Sequence, residues 1–132
     1  MITKTDMMAL IVEACPSFQS AWEDFLTEWS AEDDKPIYLA LASLAQHLIG
    51  LLATRQETAL SRAFAVVERW HIEGDAYVRE AATVGLLEDL QNENLHTSTS
   101  PNQLEPFLLP ESLKWWRQVD VFWAEATPIP DD

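Results

Sequence analysis

Apolar residues recur three and four positions apart along most of the chain, which is the spacing that places them on one face of an α-helix. The segment 37–54 is almost entirely Leu and Ala, so most faces of its helix should be covered by the rest of the fold. The pattern predicts six helices, at about residues 6–14, 18–29, 37–54, 57–73, 75–92 and 110–126. We therefore expect an all-α fold with the 37–54 helix at its centre.

Residues that start and stop helices lie between these segments. Helix breaks are predicted near Pro16, Asp34, Thr54, Gly74 and His96. Gly74 occupies the position of a left-handed helix end, while Ser17 and Asp75 are placed to cap the helices that follow them. The expected architecture is a compact bundle of about six helices in a single domain over residues 1–126, with a frayed C-terminal tail at 127–132.

The composition is that of a soluble, folded protein. Of its 132 residues, 48% are hydrophobic, which is enough for one core. Acidic residues number 22 against 8 Lys plus Arg, and the formal charge of −14 opposes binding to nucleic acid or to an anionic membrane. The one cysteine, Cys15, allows no internal disulfide, and the chain shows neither a signal segment nor an apolar run of membrane-spanning length. We expect a cytoplasmic protein.

Residues 75–87 resemble the inner helix of a HEAT-type repeat. In such repeats an Asp begins the helix, as Asp75 does here, Val78 and the alanines after it pack inward, and an Arg, here Arg79, bonds to neighbouring loops. The resemblance covers about one hairpin within 59–90, and no second copy follows at a period of about 40 residues. It implies a degenerate HEAT-like hairpin within the bundle and not a solenoid.

Three further stretches have a familiar pattern. They read Glu13-Ala-Cys-Pro-Ser-Phe18 with Trp22, Ala65-Val-Val-Glu-Arg69 with Gly74-Asp75, and Gly85-Leu-Leu-Glu-Asp-Leu-Gln91. Together they resemble a family of short, acidic, all-helical bacterial proteins of unknown function. The resemblance spans most of the chain, with gaps at 31–58 and 96–112, and rests on packing patterns. It implies a bacterial cytosolic protein of the kind encoded beside polymorphic toxins as an immunity partner, and it transfers no catalytic residue.

Two Glu-x-x-His pairs, Glu68 with His71 and Glu93 with His96, have the spacing by which di-iron bundles present their ligands. A complete site also needs an inward Glu from each of two other helices, and the 37–54 helix contains none. His96 also falls where its helix gives way to a polar loop. We therefore expect helix-surface glutamates and hydrogen-bonded histidines, with no bound metal or other cofactor.

His47 lies in the Leu-rich helix, where a general base would need an orienting carboxylate and a nucleophile nearby. No acidic residue occurs in 35–56, so we expect a core histidine that is satisfied by a backbone carbonyl. Cys15 lacks the cationic surroundings of a reactive thiolate and is expected to fill the core. The chain has no glycine-rich phosphate loop and no nucleophile elbow, so we expect no enzymatic activity.

Six carboxylates crowd into twelve residues, and Asp24 and Glu28, one helical turn apart, oppose local helix stability. Lys35 is the one cation nearby in the sequence. We call this group the acidic face, and it comprises Glu23, Asp24, Glu28, Glu32, Asp33 and Asp34. A smaller acidic group follows at Glu88, Asp89 and Glu93. The acidic face either keeps the protein soluble or docks a basic partner with electrostatic steering, and the sequence leaves both open.

The chain has 6 tryptophans, two of them adjacent at Trp115 and Trp116. Successive residues lie about 100° apart around a helix, so both rings cannot face the core. One ring should be exposed, where it could anchor a partner, unless the segment 104–109 folds over it.

These observations favour a non-enzymatic protein-binding module, most concretely an immunity-type protein that neutralises a basic partner or toxin domain. The expected partner-binding residues are those of the acidic face, together with Trp115 and Trp116. A helical adaptor or self-assembling domain is the alternative, and a di-metal carboxylate enzyme built on the Glu-x-x-His pairs is a remote one. The sequence is compatible with a monomer or a homodimer.

Overall fold

The computed structural model describes residues 1–126, and the helices dominate this range. They are α1 (Lys4–Ala14), α2 (Gln19–Glu28), α3 (Ile37–Ala53), α4 (Glu57–Glu73), α5 (Ala76–Glu80), α6 (Glu88–Leu90) and α7 (Pro110–Ala126). Helices α5 and α6 are the two ends of one continuous helix whose middle, Ala81–Leu87, is π-helical. Short 3₁₀ turns occur at Pro16–Phe18, Glu93–Leu95 and Pro101–Phe107. The predicted all-α class is confirmed, and the predicted tail at 127–132 lies outside the described residues.

Helix α3 lies at the centre of the bundle, as its Leu-rich sequence predicts. It packs against α2, α4, α6 and the π-helical segment, and it buries the side chains of Leu41, Leu44 and Leu48 completely. Helix α4 in turn contacts α1 on one side and α7 on another. Trp70 of α4 is fully buried, and its indole Nε1 donates a hydrogen bond to the Met7 carbonyl at 3.2 Å.

The π-helical segment makes the most extensive contact with α3. Gly85 lies in this segment, and a Cβ there would approach Leu41 Cδ1 to 2.8 Å. The missing side chain therefore lets the two helices come close together.

The junction between α4 and α5 differs from the prediction at Gly74. Its backbone is extended, with φ −73° and ψ 151°, so the expected left-handed helix end is wrong. Glycine is required there for space, because a Cβ would lie 2.3 Å from the Trp70 carbonyl oxygen. The N-terminus crosses this junction, with Ile2 donating to the Glu73 carbonyl at 2.8 Å and accepting from the Asp75 amide at 2.9 Å.

Within residues 1–126, none of the helices combines the length and the apolar character that a bilayer crossing requires.

Candidate functional site

The acidic face extends from α2 into the loop that follows it, and all six of its carboxylate side chains are exposed. Phe25, also on α2, is buried and joins the core. Asp34 forms an ion pair with Lys4, whereas Lys35 donates to the backbone carbonyl of Glu32 at 2.8 Å and not to a carboxylate. The other five carboxylates form no salt bridge with any part of the chain that the structure describes.

Lys4 is a residue of this surface that sequence reasoning missed. Its ammonium group also lies 5.1 Å from the centre of the Tyr77 ring. The hydrogen bond to Asp34 raises the pKa of Lys4 above its already high ordinary value. Thirty residues separate the two partners, so no local pattern could signal the contact.

The tryptophan pair divides as helical geometry requires. The Trp115 side chain is 37% exposed, with the Lys114 ammonium 5.2 Å from its ring centre, whereas Trp116 is 1% exposed and belongs to the core. The expectation that Trp116 contacts a partner is therefore wrong for this fold. Trp115 lies on α7, which packs against α4 and the π-helical segment, so it and the acidic face are carried by different parts of the bundle.

Two other tryptophans lie beside the acidic face. Trp22 and Trp29 share α2 and its C-terminal end with the carboxylates, and both are half-buried. The Trp22 ring stacks on Phe25 with 5.3 Å between the ring centres. Their helical spacing predicts only that they face inward, because the hydrophobic pattern does not distinguish complete from partial burial.

Glu68 and His71 serve packing between helices. The Glu68 carboxylate accepts the backbone N–H groups of Glu111 at 3.0 Å and Ser112 at 2.8 Å, so a side chain of α4 caps the start of α7. His71 is buried, with Nδ1 2.9 Å from Ser112 Oγ and Nε2 3.1 Å from Thr83 Oγ1. Burial lowers the pKa of His71, so the imidazole is neutral at pH 7.

His96 is likewise held by local contacts. Its Nε2 donates to the Leu90 carbonyl at 2.9 Å, and its Nδ1 lies 2.7 Å from Thr99 Oγ1. Across residues 1–126, no three His, Cys, Asp or Glu side chains come close enough together to hold a metal ion. The two Glu-x-x-His pairs therefore do not converge on a common centre within this range.

Residues 8–124 match the family described as Domain of unknown function (DUF7674). The chain belongs to this family. The match runs from within α1 into α7, so the DUF7674 domain is the bundle itself and includes the whole acidic face. No curated protein and no solved structure matches the chain.

One contact in the DUF7674 bundle brings a hydroxyl to an imidazole. Ser17 makes no capping hydrogen bond to α2, and its Oγ lies 2.7 Å from His47 Nε2, so the predicted cap is wrong. The partner of Nε2 is thus a hydroxyl and not the predicted backbone carbonyl. Burial lowers the pKa of His47, but no carboxylate of the described residues hydrogen-bonds its ring to orient it as a base. Cys15 is buried, as expected.

Proposed function

We propose that this DUF7674 protein is a non-enzymatic binding module that engages a basic partner through the acidic face, most concretely as an immunity-type protein that neutralises a toxin domain. The proposal rests on five exposed carboxylates that have no salt bridge within residues 1–126. Charge that serves solubility alone can be interspersed with cations, whereas a block of one sign speeds and orients the approach of an oppositely charged surface.

The aromatic residues of α2 give this surface a source of affinity. Apolar anchors near the centre of an interface supply most of the binding energy, and surrounding charges set the association rate and the choice of partner. The half-buried rings of Trp22, on α2, and Trp29, at its C-terminal end, lie beside Glu23 and Glu28 in the chain. These two tryptophans fit the anchor role better than Trp115, which lies on α7.

The proposal includes a bacterial, cytoplasmic setting and a HEAT-like character for the hairpin at 59–90. The single cysteine and the family resemblance support the bacterial, cytoplasmic setting. Asp75 supports the HEAT-like character, because it begins its helix as in such repeats, whereas Arg79 is exposed.

Coexpression with the gene encoded directly upstream tests the immunity role. The wild-type protein should restore the growth of cells that express a toxic neighbour. Asp24→Lys with Glu28→Lys should protect less well. Glu13→Lys with Glu80→Lys is the matched control, because it changes two exposed carboxylates and the net charge equally but lies outside the acidic face. Absence of protection by the wild type, or equal loss in both variants, would contradict the proposal.

A helical adaptor or self-assembling domain is the second candidate. Exposed apolar side chains in the last turns of α7 favour it, with Val121 51% and Phe122 53% exposed. Light scattering over a range of protein concentrations tests it: self-assembly predicts a dimer or larger species that Phe122→Ser dissociates, and a monomer at all concentrations would contradict it.

A further inference from the structure

A cleft of about 770 Å³ lies between α7 and the segment 91–105, away from the acidic face. Its charged lining residues are all carboxylates, contributed by Glu93, Glu105 and Asp120. Trp123, which is 39% exposed, supplies aromatic surface, whereas the buried Trp116 forms part of the wall. No lysine or arginine of the described residues lines the cleft, so no cationic side chain in its lining neutralises these carboxylates.

Gln91 lines the same cleft and is 7% exposed. Its Nε2 donates to the Trp116 carbonyl at 2.8 Å, which fixes the side-chain amide. Its buried Oε1 has no hydrogen-bond donor among residues 1–126. A buried acceptor without a donor is unfavourable and uncommon in folded proteins, so this oxygen indicates a donor from outside residues 1–126.

The surroundings in the cleft also disfavour the charged form of Asp120. Partial burial, together with the charge of Glu105, raises the pKa of Asp120. A cation between these groups would relieve both effects.

We propose that this cleft binds a guanidinium group, with Asp120 and Glu105 accepting its N–H groups and the Trp123 ring stacking on its plane. A guanidinium presents five donors in a flat fork and binds aromatic faces, which suits separated acceptors beside an indole. A metal ion suits the cleft less well, because no three of the described acidic or imidazole groups converge. Gln91, which lines the same cleft, supplies its buried Oε1 as a further acceptor.

Titration with N-acetyl-arginine amide, followed by tryptophan fluorescence and calorimetry, tests the proposal on the isolated protein. We expect saturable binding with a dissociation constant on the order of 1 mM, as for a ligand of this size. The citrulline analogue has nearly the same shape without the charge and should bind about tenfold more weakly or worse. The lysine analogue should also bind more weakly, since it lacks the planar fork.

Asp120→Asn and Glu105→Gln should each weaken arginine binding several-fold, and Glu23→Gln on the acidic face should leave it unchanged. Asp120 is exposed, so the fold should tolerate its replacement by asparagine, which a melting curve verifies. Equal binding of citrulline, equal binding of lysine, the absence of saturation, or indifference to both cleft variants would each overturn the proposal.

Two probes distinguish the source of the group. An arginine-containing tripeptide that binds more tightly than agmatine points to a side chain of a protein, and the reverse order points to a free alkylguanidine. Either order supports the guanidinium site. These titrations need no toxin or other partner, so their failure would leave the role of the acidic face standing.

Discussion

Gly74 and Gly50 lie in opposite steric surroundings. A Cβ on Gly74 would lie 2.3 Å from the Trp70 carbonyl oxygen, whereas a Cβ on Gly50, in α3, would meet nothing within 4 Å. Gly74→Ala should therefore destabilise the fold by about 1–3 kcal/mol through overpacking. Gly50→Ala should stabilise it by up to about 1 kcal/mol through helix propensity. Urea unfolding of the two variants checks this, and shifts in the same direction would contradict it.

Asp75 caps α5 as its sequence position predicts, with Oδ1 accepting from the Val78 amide at 2.9 Å. Asp75→Ala should lower the free energy of unfolding by about 0.5–2 kcal/mol, because it leaves that amide without a partner. Asp33→Ala, in the exposed loop after α2, is the matched control and should have little effect. An unchanged denaturation midpoint for Asp75→Ala would show that the cap does not hold in solution.

At the scale of whole elements, α7 depends on a residue of another helix. Glu68→Ala removes the carboxylate that accepts from the Glu111 and Ser112 amides. Hydrogen bonds to a charged group are worth about 1.5–3 kcal/mol, so we expect a loss of stability of this order. The rate of amide hydrogen exchange should increase most in the first turn of α7. Glu73→Gln, which breaks an exposed ion pair with Arg69, should change little, and equal effects of the two substitutions would contradict the capping role.

Most helix boundaries could be predicted from the sequence because caps and breakers act locally. Pro16, Asp34 and Gly74 each lie at or beside an observed helix break. The π-helical segment could not be predicted, since its geometry accompanies the close packing of Gly85 against Leu41, which is a tertiary contact. The predicted left-handed conformation of Gly74 is wrong for the same reason. Glycine is required there because of a neighbouring carbonyl, and not because of the backbone angle.

The candidate surfaces could be predicted to different degrees. The acidic face is contiguous in sequence, so its exposure follows from charge alone. Helical periodicity requires one exposed ring in the Trp115 and Trp116 pair, but only the packing of α7 decides which. Contacts between distant residues, such as Gln91 with the Trp116 carbonyl, have no local signal.

The pH dependence of stability belongs to the whole molecule. Burial lowers the pKa of His71 in the folded state, so the unfolded chain takes up a proton first as the pH falls. The stability contributed by neutral His71 is fully present above its unfolded pKa of about 6.5 and is lost as the pH falls toward the lowered folded pKa. His47 acts in the same direction. Glu88 and Asp120, whose pKa values are raised by burial, act in the opposite direction, since the folded state then binds protons more readily.

Comparison of the wild type with His71→Gln isolates the imidazole from these carboxylates. The variant should be less stable at about pH 8 but should lose less stability on going to about pH 5. Unfolding free energies measured across this range check the expectation. Parallel curves for the two proteins would mean that His71 titrates alike in the folded and unfolded states.

The role of the acidic face is tested most directly by the salt dependence of association with the product of the neighbouring gene. Stopped-flow or surface-based kinetics at several ionic strengths should give a wild-type association rate that falls steeply as salt screens the surface charge. Asp24→Lys with Glu28→Lys should slow association and flatten this dependence, with a smaller change in dissociation. The charge-matched variant Glu13→Lys with Glu80→Lys should retain most of the wild-type slope. A wild-type association rate that is indifferent to salt would contradict the docking role and leave the acidic face as a solubilising surface.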